Sequence, residues 1–323
     1  MSQKTGRVSV RSLRLRSGPG RDRATIRSLP RGTELTVLKE LDNWLKVSVG
    51  KTTGFVYKTY VDTVGAASVP RFLMEQADIQ KVDLAPAELL QEPDVTRPRD
   101  RLLRRTWNGF GGLLQLLSKK LNIEPAVAIA VLCVESSGKG FGPDGKMIIR
   151  FENHVFWRYW GKSHPDVFHD HFAFDEKRPW CGHRFRNSIK ERWKSVHGKG
   201  QTSEWKVFEF ARATHPRFSM YSISMGMPQI MGFNHRRIGC ESVEQMFVSF
   251  ERSERNQIIG LFDFIAAGRL TSGKESKLAV ALKKRDFPTF ARLYNGSGQA
   301  EDYSRLIEGY HESFEELMRQ KSS

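Results

Sequence analysis

The hydrophobic residues of this chain change their spacing partway along it. Between residues 7 and 64, apolar side chains alternate with polar ones, as at Val8 and Val10 and at Leu13 and Leu15, and turn signals such as SGPG separate the runs. From about Asp100 the apolar residues follow the i, i+3 and i+4 spacing of helices, as in LLRRTWNGFGGLLQLL. A period of two predicts strands and a period of 3.6 predicts helices. We therefore expect a multidomain protein, with a small all-β barrel of four or five strands followed by a mainly α-helical domain.

The stretch between the two patterns predicts a linker. It contains four prolines and its charges nearly cancel. We expect a linker over residues 66–99, with one short helix over Ala85–Gln91, between domains at residues 1–65 and 100–323. Asn122 is a candidate N-cap for the helix that follows it. Further helices are predicted over Thr202–Ala213, Ser242–Ala266, Ser276–Lys284, Phe287–Leu293 and Asp302–Arg319.

The chain is strongly basic, and the excess is uneven. Its formal net charge is +16, and residues 1–65 contain thirteen basic and five acidic side chains. Such a field attracts a polyanion, which means nucleic acid, anionic lipid or an acidic cell-wall polymer. Charge alone does not choose among them.

Several classes of protein do not fit the sequence. The longest apolar run, PAVAIAVLCV, is half the length that a membrane span needs. The N-terminus has no apolar segment typical of a secretory signal, so we expect synthesis in the cytoplasm and delivery by another route. The three cysteines, Cys133, Cys181 and Cys240, are too far apart for a disulfide framework or a cysteine zinc site.

Residues 7–64 resemble the bacterial SH3-like domain family. The resemblance rests on RLRSGPG, LPRGTELTVL, the NWLKVSVG–GFVYKTYV hairpin and the closing Tyr60-Val61. Arg14 and Phe55 stand where that family often has Asn and Trp. Members of the family often bind cell-wall peptides, so the resemblance implies a cell-wall-binding domain; the alternative is a spacer or a protein-interaction module.

Glu135 ends the most apolar helix of the sequence and precedes the glycine-rich segment SSGKGFGPDG. Apolar surroundings and the negative end of a helix dipole both disfavour a carboxylate. A carboxyl group that stays protonated near neutral pH is suited to general acid catalysis. The alternative is an exposed glutamate that caps a helix end.

Three blocks of the second domain resemble the N-acetylmuramidase family of phage endolysins and related effectors. They are CVESSGKGFGPDGKMIIRFENHVFW, SISMGMPQIMGFN and FARLYNGSGQAEDY, and their order is similar to that of goose-type lysozymes and lytic transglycosylases. The resemblance implies a lysozyme-like helical fold with Glu135 as the acid. It also implies a sugar cleft lined by Ser224, Gly226, Gln229, Tyr294 and Asn295, with Gly226 allowing the backbone to approach the ligand. Met225 and Met227-Pro228 depart from the family pattern.

Hydrolysis of a β-glycoside usually uses a second carboxyl group. Glu152, in RFENH, matches the family block and is predicted as the base or water-positioning group; the alternative is a structural carboxylate paired with Arg150 or His154. Asp144, in the turn PDGK, is a weaker candidate for the same role. A base that activates water would suit an inverting mechanism.

We expect no metal and no cofactor. His164, His169, His171 and His183 are close in sequence, but no HExxH or HxxxH spacing is present. Their aromatic neighbours indicate a core or a cleft wall. Cys133 is predicted to pack in the core and not to act as a nucleophile.

The sequence thus predicts a modular peptidoglycan hydrolase, a muramidase that cleaves the β-1,4 bond between N-acetylmuramic acid and N-acetylglucosamine. The alternatives are a lytic transglycosylase on the same fold and a non-catalytic wall-binding protein. The predicted partner is peptidoglycan, with no nucleic acid and no membrane span, and the protein is expected to be a monomer that acts in the periplasm or on the cell wall. It would be a bacteriolytic phage endolysin or an injected antibacterial effector; an effector would have a cognate immunity protein.

Overall fold

The chain divides into two compact units, residues 1–69 and 70–323. The computed structural model describes residues 5–10, 12–41, 43–64, 72–91, 97–136, 139–198, 200–266, 275–296 and 300–321. None of the helices in these ranges is both long enough and apolar enough to cross a bilayer.

The first unit is one antiparallel sheet of seven strands in the order β3-β2-β6-β5-β4-β1-β7. The strands are β1 Thr5–Val8, β2 Ser12–Arg16, β3 Thr25–Pro30, β4 Glu34–Leu41, β5 Trp44–Val49, β6 Thr52–Tyr57 and β7 Val61–Val64. The predicted number of strands is too low because three alternating runs each form two strands, namely β1 and β2, β3 and β4, and β6 and β7. A turn at Gly32, with φ of +85°, separates β3 from β4, and a 3₁₀ turn over Lys58–Tyr60 separates β6 from β7.

The alternating residues of the first unit form its core, as the sequence predicts. Val8, Leu13 and Leu15 are buried, and Leu45 and Val56 join them from neighbouring strands. Burying apolar side chains on one face of each strand is what the period of two requires. The small all-β domain is therefore confirmed.

Residues 72–91 belong to the helical unit, so the linker prediction is wrong for them. Leu73, Ile79 and Leu90 are buried in the core of that unit. The carboxylate of Asp263 accepts hydrogen bonds from the amides of Leu73 (2.7 Å) and Met74 (3.1 Å). The short helix lies at α1 Ala77–Lys81 and not over residues 85–91. Residues 66–71 and 92–96 of the predicted linker lie outside the described residues.

The second unit contains α2 Pro98–Leu121 and α3 Pro125–Ser136, and α3 contacts both α2 and α12. The remaining helices are α4 Asn153–Tyr159, α5 Pro165–His171, α6 Gly200–Thr214, α7 Pro216–Tyr221, α8 Val243–Arg252, α9 Glu254–Ala266, α10 Lys277–Lys283, α11 Phe287–Asn295 and α12 Ala300–Lys321. The helix predicted over Ser242–Ala266 is broken by the extended backbone of Ser253. Asn122 has left-handed φ and ψ and closes α2, so it is a C-cap and not the predicted N-cap.

Two small sheets lie beside the helices. One contains β8 Ile149–Phe151, β12 Ile223–Met225 and β13 Ile230–Met231, and the other contains β9 Phe172–Ala173, β10 Arg184–Phe185 and β11 Lys194–Ser195. An aromatic core, which includes Phe151, Phe156, Phe168, Phe172 and Phe208, packs around them. The second unit therefore has two cores, one built around α3 and one around these sheets.

Candidate active site

The carboxyl group of Glu135 lies in the last turn of α3, the helix that is buried at every position from Val127 to Cys133. Its Oε1 atom is buried and has no hydrogen-bond partner among the described residues. Burial raises the pKa of Glu135 from 4.5 to about 8, while a hydrogen bond with Tyr294 acts in the opposite direction. The side chain is consequently a neutral acid at pH 7.

Tyr294 places its hydroxyl group against Glu135 from α11. Its ring stacks on Phe290 with a centroid distance of 5.4 Å and meets Phe264 edge-on at 5.5 Å. Burial raises the pKa of Tyr294 well above 10, and the neighbouring Glu135 raises it further. The hydroxyl therefore keeps its proton and donates to the carboxyl group. The structure thus brings together two of the residues that the sequence placed in the site.

Ser224 and Gln229 hold a tight hairpin between β12 and β13. Ser224 Oγ donates to Gln229 Oε1 at 2.7 Å, and Gln229 Nε2 donates to the carbonyl of Gly226 at 2.7 Å. Gln229 and Gly226 both have positive φ, +47° and +65°. The predicted site residues Ser224, Gly226 and Gln229 are therefore neighbours, and their polar groups are used within the hairpin.

Gln257 of α9 joins this hairpin to the loop that follows Glu135. Its Oε1 accepts a hydrogen bond from the amide of Met227 at 2.7 Å, and its Nε2 donates to the carbonyl of Phe250 at 2.9 Å. A Cβ atom on Gly140 would lie 2.2 Å from Gln257, and one on Gly226 would lie 2.5 Å from it. Gly226 is thus required by the close approach of Gln257, and its predicted contact with a ligand stays a prediction. The sequence analysis missed Gln257, although a glutamine in the apolar run NQIIGLFDFI is a signal.

The last residue of the predicted sugar site is Asn295. Two methionines of the hairpin, Met225 and Met227, depart from the family pattern. Asn295 is exposed at the last position of α11, next to Tyr294. Met225 and Met227 are fully buried, the first in the aromatic core and the second in the core around α3. The two methionines therefore fill cores, and packing accounts for the departures from the family pattern.

Glu152 lies directly after β8, at the N-cap position of α4. Arg150 Nε donates to Glu152 Oε1 at 2.9 Å, while Oε2 lies 3.5 Å from His154 Nδ1 and 3.4 Å from His183 Nδ1. These are the contacts of the alternative interpretation, in which Glu152 pairs with its neighbours. Asp144 is exposed and accepts a hydrogen bond from the amide of Lys146 at 3.1 Å, as a turn residue does.

A comparison with family models decides the class of this site. The family described as N-acetylmuramidase matches residues 124–315, more than half of the chain, and the match includes Glu135 and Tyr294. This chain belongs to the N-acetylmuramidase family. The match lies within the helical unit, which is therefore the muramidase domain of this chain.

The first unit of the muramidase matches a second family, described as bacterial SH3 domain, over residues 11–62. The Bacillus subtilis (strain 168) protein named "Putative N-acetylmuramoyl-L-alanine amidase YrvJ" is 42% identical over 66 residues, which is 20% of this chain and 12% of that protein. The crystal structure of the Burkholderia AP3 phage endolysin is similar with 23% identity and a TM-score of 0.48, covering 71% of this chain and 74% of that chain. The predicted order of an SH3-like domain before a muramidase domain is confirmed.

The histidines of the muramidase separate into different environments. His164 Nδ1 contacts the carbonyl of Trp160 and His171 Nδ1 contacts that of Arg186, while His169 is exposed. Of the four that the sequence analysis considered, His183 joins Glu152 in a cluster. Burial lowers the pKa of His183, and it lowers the pKa of His154 to about 4.

Cys133 and Cys240 are buried, and burial raises the pKa of each thiol to about 12. A thiol with so high a pKa is not a nucleophile at neutral pH. The prediction that Cys133 packs in the core is consistent with this burial.

Proposed function

We propose that this muramidase hydrolyses the β-1,4 bond between N-acetylmuramic acid and N-acetylglucosamine, with Glu135 as the general acid. The observation that supports this is the buried carboxyl group at the end of α3, whose pKa of about 8 keeps it protonated at neutral pH. An acid must carry its proton before it can give it to the glycosidic oxygen. Tyr294 orients the carboxyl group by the hydrogen bond it donates.

The sugar chain would bind along the Ser224–Gln229 hairpin and the end of α11. Ser224, Gly226 and Gln229 would shape this subsite mainly through backbone groups, because their side chains hold the hairpin together. Asn295, exposed beside Tyr294, would contribute its side-chain amide to the substrate. Glu152 stays a predicted base or water-positioning group; because both its oxygens have protein partners, that role requires it to exchange one of them for water.

The SH3-like domain would hold the enzyme on the cell wall. A tethered binding domain raises the concentration of the catalytic domain at its substrate, and the basic charge of residues 1–65 attracts the anionic wall. We propose that the protein acts as a phage endolysin, released to the periplasm or the cell wall. Use as an injected effector would require an immunity protein that covers Glu135.

Digestion of purified sacculi by wild type and Glu135→Gln tests this proposal. We expect Glu135→Gln to lower the rate of muropeptide release by about 10²- to 10⁴-fold, the usual contribution of a general acid. Glu209→Gln is the matched control, because Glu209 is exposed and pairs only with Lys146 at the surface in the described structure. Mass spectrometry of the products should show reducing N-acetylmuramic acid ends. Anhydro-muramyl ends would identify a lytic transglycosylase instead, and full activity of Glu135→Gln would exclude Glu135 as the acid.

A further inference from the structure

Three separate segments of the muramidase domain bring metal-binding atoms to one point. Glu152 follows β8, His183 precedes β10, and His197 follows β11. His183 Nδ1 lies 3.0 Å from His197 Nε2 and 3.4 Å from Glu152 Oε2. The three donor atoms all lie within 4.8 Å of one another. The side chain of His183 is completely buried, and that of Glu152 is 14% exposed.

The outer hydrogen bonds of the two imidazoles determine which ring nitrogens face inward without a proton. His183 Nε2 lies 2.7 Å from the carbonyl oxygen of Pro179, which only accepts, so this nitrogen carries a hydrogen. His197 Nδ1 lies 2.7 Å from Glu204 Oε1, and that carboxylate also accepts from the amide of Phe151. In neutral rings the inward atoms, His183 Nδ1 and His197 Nε2, then both present lone pairs.

Three electron-pair donors therefore face one another at close range, because Glu152 Oε2 adds a carboxylate oxygen to the two nitrogens. Arg150 occupies the other oxygen, Oε1, at 2.9 Å and leaves Oε2 directed at the imidazoles. Lone pairs 3.0 Å apart repel unless a cation lies between them. Histidines that bind metals commonly donate their outer N–H to a carboxylate or a backbone carbonyl, which is what Glu204 and Pro179 accept here.

We propose that Glu152, His183 and His197 bind a divalent transition metal, with Zn²⁺ the preferred ion. Two imidazole nitrogens and one carboxylate oxygen suit zinc, whereas magnesium and calcium prefer oxygen ligands alone. His154 lies next to this cluster, with its Nδ1 3.5 Å from Glu152 Oε2, but it is not among the donors that lie within 4.8 Å of one another. Water would therefore take the fourth position of a tetrahedral site.

The metal would join the β8–α4 junction to the two loops that flank β10 and β11, strands of only two residues each. A metal crosslink would add to the stability that the aromatic core gives these short strands. The ligand set leaves Glu135 and Tyr294 free for the proposed function, but it excludes Glu152 as the base or water-positioning group. The HxxxH spacing that sequence analysis looks for is missing because the ligands come from different segments.

The full chain, stripped with dipicolinate, reloaded with zinc chloride and desalted, tests the proposal. We expect wild type to retain about one zinc per chain, measured by plasma mass spectrometry, and to unfold several degrees higher than the stripped protein. His183→Asn and His197→Asn should lose the zinc, and Glu204→Gln should bind it about 10- to 100-fold more weakly. His169→Asn, at an exposed histidine outside the cluster, is the matched control and should retain it.

Cobalt loading of wild type gives a readout that does not depend on whether the variants fold. Co²⁺ held by histidine nitrogens in a tetrahedral site should produce visible d–d absorption, and zinc should abolish it by displacement. Wild type that retains no zinc and shows no such absorption would overturn the proposal, and a proton shared within the cluster would then explain the close nitrogens. Zinc retained equally by folded His183→Asn and His197→Asn would also overturn it.

Discussion

The hydroxyl group of Tyr294 donates a hydrogen bond to the carboxyl group of Glu135, and the two residues come from α11 and α3. The contact lowers the pKa of Glu135, while burial, the larger effect, raises it. The pKa of Glu135 thus results from two opposed contributions, the apolar environment that raises it and the Tyr294 hydroxyl that lowers it. Each of the two contributions can be changed separately.

Tyr294→Phe removes the donor and leaves the burial. We expect the pKa of Glu135 to rise, so the alkaline limb of the pH–rate profile for sacculus digestion should move to higher pH. Tyr303→Phe is the control, because the Tyr303 ring stacks on Tyr294 at 6.3 Å and its buried hydroxyl has no hydrogen-bond partner among the described residues. An alkaline limb that stays in place in Tyr294→Phe would contradict the role given to this hydrogen bond.

Glu135 also makes the stability of the fold depend on pH. Its pKa is about 8 in the folded protein and near 4.5 when exposed, so the folded state binds the proton more tightly. The stability contributed by the neutral acid is complete below about pH 4.5 and is lost at up to about 1.4 kcal/mol per pH unit as the pH rises towards 8. Glu135→Gln has no such charge. In urea unfolding at several pH values, its stability relative to wild type should increase between pH 5 and 8; a constant difference would exclude a raised pKa.

Gly226→Ala tests the contact with Gln257. The added methyl group meets the Gln257 amide and also strains a backbone with φ of +65°. Gly145→Ala is the matched control, since Gly145 has φ of +73° and no atom within 4 Å of the added carbon. We expect Gly145→Ala to cost about 1 kcal/mol of unfolding free energy and Gly226→Ala to cost clearly more. Equal losses would show that conformation alone requires the glycine.

Glu152→Gln distinguishes two assignments that exclude each other. If Glu152 is a metal ligand, the variant should lose zinc and unfold at a lower temperature, as His183→Asn does. If Glu152 is the base, sacculus digestion should fall while zinc content and unfolding temperature stay those of wild type. We expect the first result, because both carboxylate oxygens face protein groups.

Hydrophobic periodicity was sufficient to predict the helices and strands whose formation depends on residues close in sequence. The helical period over α6 and the alternation over β2 predicted those elements within a few residues. The prolines and balanced charges of residues 66–99 predict a linker, but residues 72–91 pack on a surface that includes Asp263, some 190 residues along the chain from Leu73. The ordered structure of these residues depends on tertiary contacts, and hydrophobic periodicity carries no information about such contacts.

The same distinction holds for the site. Glu135 was accessible to prediction as a candidate acid because the apolar helix that buries it is a local pattern, and burial raises its pKa. Gln257 was not, because its partner Met227 lies 30 residues away. His197 was missed for the same reason, as it meets His183 across a fourteen-residue separation that no short motif spans.

The hydrogen bonds from the amides of Leu73 and Met74 to Asp263 limit where the chain can be truncated without damage to the helical unit. A chain shortened to residue 100 would leave the Asp263 carboxylate buried without those two donors and would uncover the surface on which Ile79 and Leu90 rest. An engineered exchange of the SH3-like domain should therefore be made upstream of residue 72, so that residues 72–91 stay with the helical unit.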